Sequence, residues 1–137
     1  MEDTELMKKP CILIVDDDIR YVEMLELTLS GQGYDILTAV SGRDAIFALN
    51  QHPDLVILDI VMPDIDGFEV ADHLTTITGS SIPYIFLTAK GQPIHRLKGL
   101  GLGALDYITK PFHPNHLLNI VKEILESHKV PNSREEL

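Results

Sequence analysis

The chain has no tryptophan, one cysteine and few basic residues, and each shortage narrows what it can be. With only four tyrosines and four phenylalanines, aliphatic side chains must fill most of the interior. The single thiol, Cys11, excludes an intrachain disulfide. It lies in the apolar run CILIV, where a buried strand residue is a better expectation than a reactive thiol. No apolar run approaches the roughly 18 residues that span a bilayer. The opening MEDTELMKKP has no apolar signal core, so no membrane association and a cytoplasmic location are expected. Lys and Arg number 11 against 21 Asp and Glu, a formal net charge of −10. Phosphate contacts need cations, so direct nucleic acid binding is not expected. The surplus acid either serves solubility or marks a cation site.

What is present suits one domain. The 137 residues are 45% hydrophobic and 23% charged, enough for a sizeable core. Residues 1–9 read as a flexible arm ending at Pro10, and residues 129–137 as a tail or linker start, leaving a domain over 10–128. Within it, strand and helix signals alternate. CILIV (11–15), DILTA (35–39), LVIL (55–58), YIFL (84–87) and DYI (106–108) are short apolar runs that read as strands. LVIL is the strongest, and runs of this kind suit burial on both faces. Helical spacing runs over Ile19–Ser30, from a Ser41 cap to before Pro53, over 68–78, from Pro93 to Leu102 and over 115–127. Five strands alternating with five helices predict an α/β fold on a parallel sheet. Eight units would be needed for a barrel, so an open doubly wound sheet is expected. The flavodoxin-like order 2-1-3-4-5 is the common five-strand solution.

In such a sheet, ligands sit beyond the carboxyl ends of the strands. Asp16, Asp17 and Asp18 follow strand 1, Asp59 follows strand 3, Thr88 follows YIFL, and Lys110 follows strand 5. Adjacent strands lie about 4.8 Å apart, so three carboxylates, a hydroxyl and an ammonium converge. Two carboxylates about 4 Å apart repel by roughly 4 kcal/mol at an effective dielectric of about 20. A raised pKa, a divalent cation or Lys110 must offset that. Carboxylate and water oxygens suit Mg²⁺. Asp59, central among these groups, is the best-placed nucleophile, and Lys110 and Thr88 could hold phosphoryl oxygens. Any one of these residues alone is more simply a turn, a cap or a solvated charge. Their joint placement carries the argument.

The strings ILIVDDD, LVILDIVMPDIDGFE, IFLTA and GALDYITKPF, in this order, resemble the signature regions of the response regulator receiver domain. The likeness covers about residues 10–127. It implies that Asp59 accepts a phosphoryl group from a phosphohistidine on a sensor histidine kinase or histidine phosphotransfer protein. It implies that Asp16 and Asp17 hold Mg²⁺ together with Asp59 and the Val61 backbone carbonyl. Lys110 would pair with phosphoryl oxygens, and its bond to Pro111 would be cis. Thr88 and Tyr107 would form a switch pair, the ring moving inward as the hydroxyl turns toward the phosphate. Gly67 would free the loop after the acceptor. The face formed by helix 4, strand 5 and helix 5 would be read by a downstream effector or by a second copy. The domain would signal, assisting its own phosphorylation and dephosphorylation, without being an enzyme. Ala89 and Lys90, after Thr88, leave the lifetime of the phosphorylated state open. Two departures stand out: Leu105 where an acid is frequent, and Gly99, Gly101 and Gly103 near the end of helix 4. Each interior glycine weakens a helix by about 1 kcal/mol, so that end is expected to be loose.

Other motifs fail on context. Gly99 to Ala104 fits G-x-G-x-x-A, but it closes a helix, whereas a dinucleotide turn opens one. His113 and His116 have no further ligand at metal spacing. A small Mg²⁺-dependent phosphatase of the haloacid dehalogenase type would use D-x-D-x-(T/V). Here Asp16-Asp17-Asp18-Ile19 ends in Arg20, and Asp59 would be idle. A non-phosphorylated receiver used only for binding is the third reading, and the complete acidic set argues against it.

Overall fold

In a computed structural model of the chain, residues 9–76 and 82–135 are described, with side chains through residue 127. The elements are β1 (Cys11–Val15), α1 (Ile19–Ser30), β2 (Asp35–Ala39), α2 (Gly42–Ala48), β3 (Leu55–Leu58), α3 (Gly67–Thr76), β4 (Tyr84–Thr88), α4 (Pro93–Gly101), β5 (Asp106–Thr109) and α5 (Pro114–Glu135). A single 3₁₀ turn, Leu49–Gln51, ends the α2 segment. The five strands are parallel in the order β2-β1-β3-β4-β5. The flavodoxin-like expectation is therefore met.

Alternation along each strand builds two cores. Leu13, Val15, Val56, Leu58, Tyr84, Phe86 and Tyr107 face one way, onto Ala45 and Ala48 of α2 and Val70, Ala71 and Leu74 of α3. Ile12, Ile14, Leu55, Ile57, Ile85, Leu87 and Ile108 face the other way, onto α1 and α5. Strands covered on both faces read as continuous apolar runs, which is why LVIL stood out in the sequence.

Helix ends follow local chemistry. Asp18 caps α1 by accepting from the Arg20 N–H, and the Ser41 hydroxyl caps α2 by accepting from the Asp44 N–H. One expected boundary falls outside the described residues, and another differs from the sequence reading. Helix α3 is described to Thr76, and the expected end near residue 78 lies outside the described residues. Helix α5 continues to Glu135, through most of the stretch expected to be a tail. Apolar spacing gives out after Leu125, but the backbone keeps its helical form. Residues 1–8 of the expected arm lie outside the described residues.

Candidate functional site

Strand register sets the site. Val15 pairs with Leu58, so Asp16 and Asp59 emerge level from neighbouring strands. Leu58 pairs with Phe86, which puts Thr88 one step beyond Asp59. Thr88 pairs with Thr109, which puts Lys110 a further step along. A lysine stem is long enough to reach back over that offset. Its Nζ donates to Asp16 Oδ2 at 2.6 Å and to Asp59 Oδ2 at 3.2 Å.

The backbone pins both carboxylates. The Asp16 N–H donates to Ala39 O at 3.1 Å and the Asp59 N–H to Val15 O at 2.9 Å, extending the sheet one residue past each strand. Asp16 Oδ1 accepts from the Asp18 N–H at 2.9 Å. Asp59 Oδ1 accepts from the Ile60 N–H at 2.7 Å and the Val61 N–H at 3.4 Å. Carboxylate oxygens of Asp16, Asp17 and Asp59 lie within 4.8 Å of one another. Asp16 and Asp59 are buried, while Asp17 is open to water. The sequence-predicted residues Asp16, Asp17, Asp59 and Lys110 therefore meet in one pocket.

Burial pushes the Asp16 carboxyl above its usual range, against the lowering effect of the bond from Lys110. Burial would lower the Lys110 ammonium, but the bond to Asp16 and the charge of Asp59 more than offset it. Its pKa is held above the ordinary lysine value. One ammonium thus faces two carboxylates, and the cluster keeps excess negative charge.

Thr88 and Tyr107 are joined through a single residue. The Thr88 hydroxyl accepts from the Lys90 N–H at 3.2 Å, and the Tyr107 hydroxyl donates to the Lys90 carbonyl. Thr88 is fully buried, and the Tyr107 ring is already inside, against Phe86 with centroids 5.8 Å apart. The bond between Lys110 and Pro111 is cis, as the resemblance implied.

The structure gives its own reasons for three glycines. Gly67 opens α3 with its N–H on Ile60 O at 2.8 Å, and a Cβ there would lie 2.1 Å from the Asp59 carbonyl oxygen. Space, not freedom of motion, requires glycine at this position. Gly99 is buried, and its missing Cβ would meet the Phe86 and Tyr107 rings at 2.9–3.0 Å. Gly103 takes φ +114° in the turn after α4. Two of the three glycines that suggested a loose helix end are thus explained by packing and a turn.

Sequence reasoning missed two contacts. Tyr21 places its ring centroid 4.0 Å from Lys110 Nζ. Asp64, in the loop after the acceptor, accepts from the Gly42 and Arg43 N–H groups, each at 3.0 Å. Asp64 is 22 residues from Gly42, so no local pattern could reveal the second contact.

Fold and site together define an open α/β domain with an acidic, lysine-braced pocket at the carboxyl edge of its sheet. The chain belongs to the response regulator receiver domain family, whose sequence model matches residues 12–122. It is a receiver domain of two-component signalling and acts in phosphorelay. It is 47% identical over 113 residues to the "Probable transcriptional regulator ycf27" of Galdieria sulphuraria, covering 82% of this chain and 44% of that protein. It is 40% identical over 120 residues to the alkaline phosphatase synthesis transcriptional regulatory protein PhoP of Bacillus subtilis, covering 87% and 50%. A CheY-like response regulator receiver domain protein from Methanospirillum hungatei superposes with a TM-score of 0.84 at 28% identity, covering 89% of this chain and 98% of that one. The chain spans about half the length of the curated relatives it matches. Among the described residues, no helix is long and apolar enough to cross a membrane.

Proposed function

We propose that Asp59 accepts a phosphoryl group from a phosphohistidine on a sensor histidine kinase or a histidine phosphotransfer protein. The observation that carries this is the Lys110 ammonium bonded to both Asp16 and Asp59, with Asp17 in the same cluster. An Asp59 carboxylate oxygen attacks phosphorus. The new P–O bond forms as the P–N bond breaks, and the bonding pair leaves on the imidazole nitrogen. Lys110 already lies beside the attacking carboxylate and turns to the phosphoryl oxygens as charge accumulates there.

The donor set suits Mg²⁺. It has three carboxylates, one of them open to water, and a single ammonium that cannot balance them all. Asp16, Asp17, Asp59 and the Val61 carbonyl would hold it, and a bound Mg²⁺ supplies charge neutralisation for the incoming group. Removing the metal with a chelator should stop phosphorylation.

The switch follows from Lys90. If the Thr88 hydroxyl turns to a phosphoryl oxygen, it releases the Lys90 N–H. The Lys90 carbonyl, and with it Tyr107, then shifts. Phosphorylation biases two arrangements separated by a few kcal/mol, and the α4–β5–α5 face is read by a downstream effector or a second copy of the chain. The domain works in the cytoplasm as a signalling part and not as an enzyme, assisting its own phosphorylation and dephosphorylation.

Incubation with Mg²⁺ and acetyl phosphate, followed by intact mass measurement, tests the reading. The wild type should gain one phosphoryl group and Asp59→Asn none. Phosphorylation of Asp59→Asn at the wild-type level would overturn it.

A further inference from the structure

We propose that Tyr21 is a positioning residue for phosphoryl transfer, holding the Lys110 ammonium in the pocket while its carboxylate partners are exchanged for phosphoryl oxygens. This rests on Asp59 being the phosphoacceptor. Lys110 has three N–H donors, and Asp16 and Asp59 each receive one bond. The face of Tyr21 lies against the same ammonium, with its centroid 4.0 Å from Nζ. Such a contact strengthens when the cation is shielded from water, and only 12% of the Lys110 side chain is exposed.

The ring is held from two sides. Tyr21 lies in the first turn of α1, its N–H donating to Asp18 O at 3.0 Å, so it is fixed to the segment that carries Asp16 and Asp17. Its ring also packs against Phe112 with centroids 6.3 Å apart, two residues beyond Lys110. When Asp59 takes up a phosphoryl group, its carboxylate no longer offers Lys110 the same charge. Asp16, the other carboxylate on the ammonium, is among the groups that would hold Mg²⁺, so the aromatic face is the contact of Lys110 that is neither acceptor nor metal ligand. It keeps Nζ from swinging to solvent between the two states.

The test compares Tyr21→Phe, which keeps the ring, with Tyr21→Leu and Tyr21→Met, which keep apolar bulk without a π face. Phosphorylation by acetyl phosphate is followed at saturating Mg²⁺, with Asp59→Asn alongside. The Leu and Met variants should lose about fivefold in maximal rate with the half-saturating donor concentration unchanged, and Phe should match the wild type. In the wild type, ring current should move the Lys110 ε-methylene proton resonances upfield, and this shift should vanish in the Leu variant. Wild-type rates in a folded Leu or Met variant, or unshifted Lys110 resonances in the wild type, would overturn the proposal while leaving Asp59 as acceptor. Phosphorylation of Asp59→Asn would instead remove the reading beneath it.

Discussion

Between Asp16 and Asp59, the Lys110 ammonium sits 2.6 and 3.2 Å from carboxylate oxygens, with 12% of its side chain exposed. Removing one partner of a buried pair leaves uncompensated charge and costs about 3 kcal/mol or more. Lys110→Ala should therefore lower stability by about 3 kcal/mol in urea denaturation, with Mg²⁺ recovering part of the loss. An unchanged midpoint would mean that the pocket does not need its ammonium. Gly67 is subject to a different constraint, because a Cβ would strike the Asp59 backbone. Gly67→Ala should destabilise by about 2 kcal/mol or more and impair phosphorylation, since the loop must shift to admit the methyl. Circular dichroism melting and the acetyl phosphate assay check both outcomes. Asp16, Asp17, Asp59, Thr88 and Lys110 were legible in the sequence because each directly follows an apolar strand or lies next to a residue that does. Tyr21 was not, because a helical tyrosine reads as ordinary packing until the lysine side chain from the far end of the chain is placed beside it.

Helix α2 shows how an element can depend on a distant loop. Ser41 caps it locally, and Asp64 receives two further N–H groups from its first turn. The bonds from Arg43 and other backbone N–H groups hold the Asp64 carboxyl at about 2, below the 3.8 of a free aspartate. A depressed carboxyl pKa stabilises the fold above the unfolded value, and that stabilisation fades as pH falls toward the folded value. The tie between the acceptor loop and α2 should thus be intact above about pH 4 and weaken toward about pH 2. The Gly42 and Arg43 amide resonances should report that titration, and Asp64→Asn should abolish it. Amides that do not move over this range would contradict the assignment. Element type was legible from periodicity, whereas ends were less so. The capping Ser41 and the opening Pro93 were visible. The length of α5 was not, because helix continues where the apolar stripe has stopped.

At the scale of the molecule, the order β2-β1-β3-β4-β5 puts the three strands that carry Asp16, Asp59 and Thr88 side by side, with Lys110 at the end of the edge strand. The apolar runs foretold this sheet, because strands covered on both faces must be apolar along their length. The strand order came from a fold preference, and register came only with the structure. That register makes the pocket, since level pairing of Val15 with Leu58 brings two like charges together. Asp59 as the phosphoacceptor is central to the proposed function. The most direct measurement is reduction of the phosphorylated protein with borohydride, which converts an aspartyl phosphate to homoserine, followed by peptide mass spectrometry. Homoserine at position 59 is the predicted result, and homoserine at Asp16 or Asp17 with Asp59 intact would contradict the account.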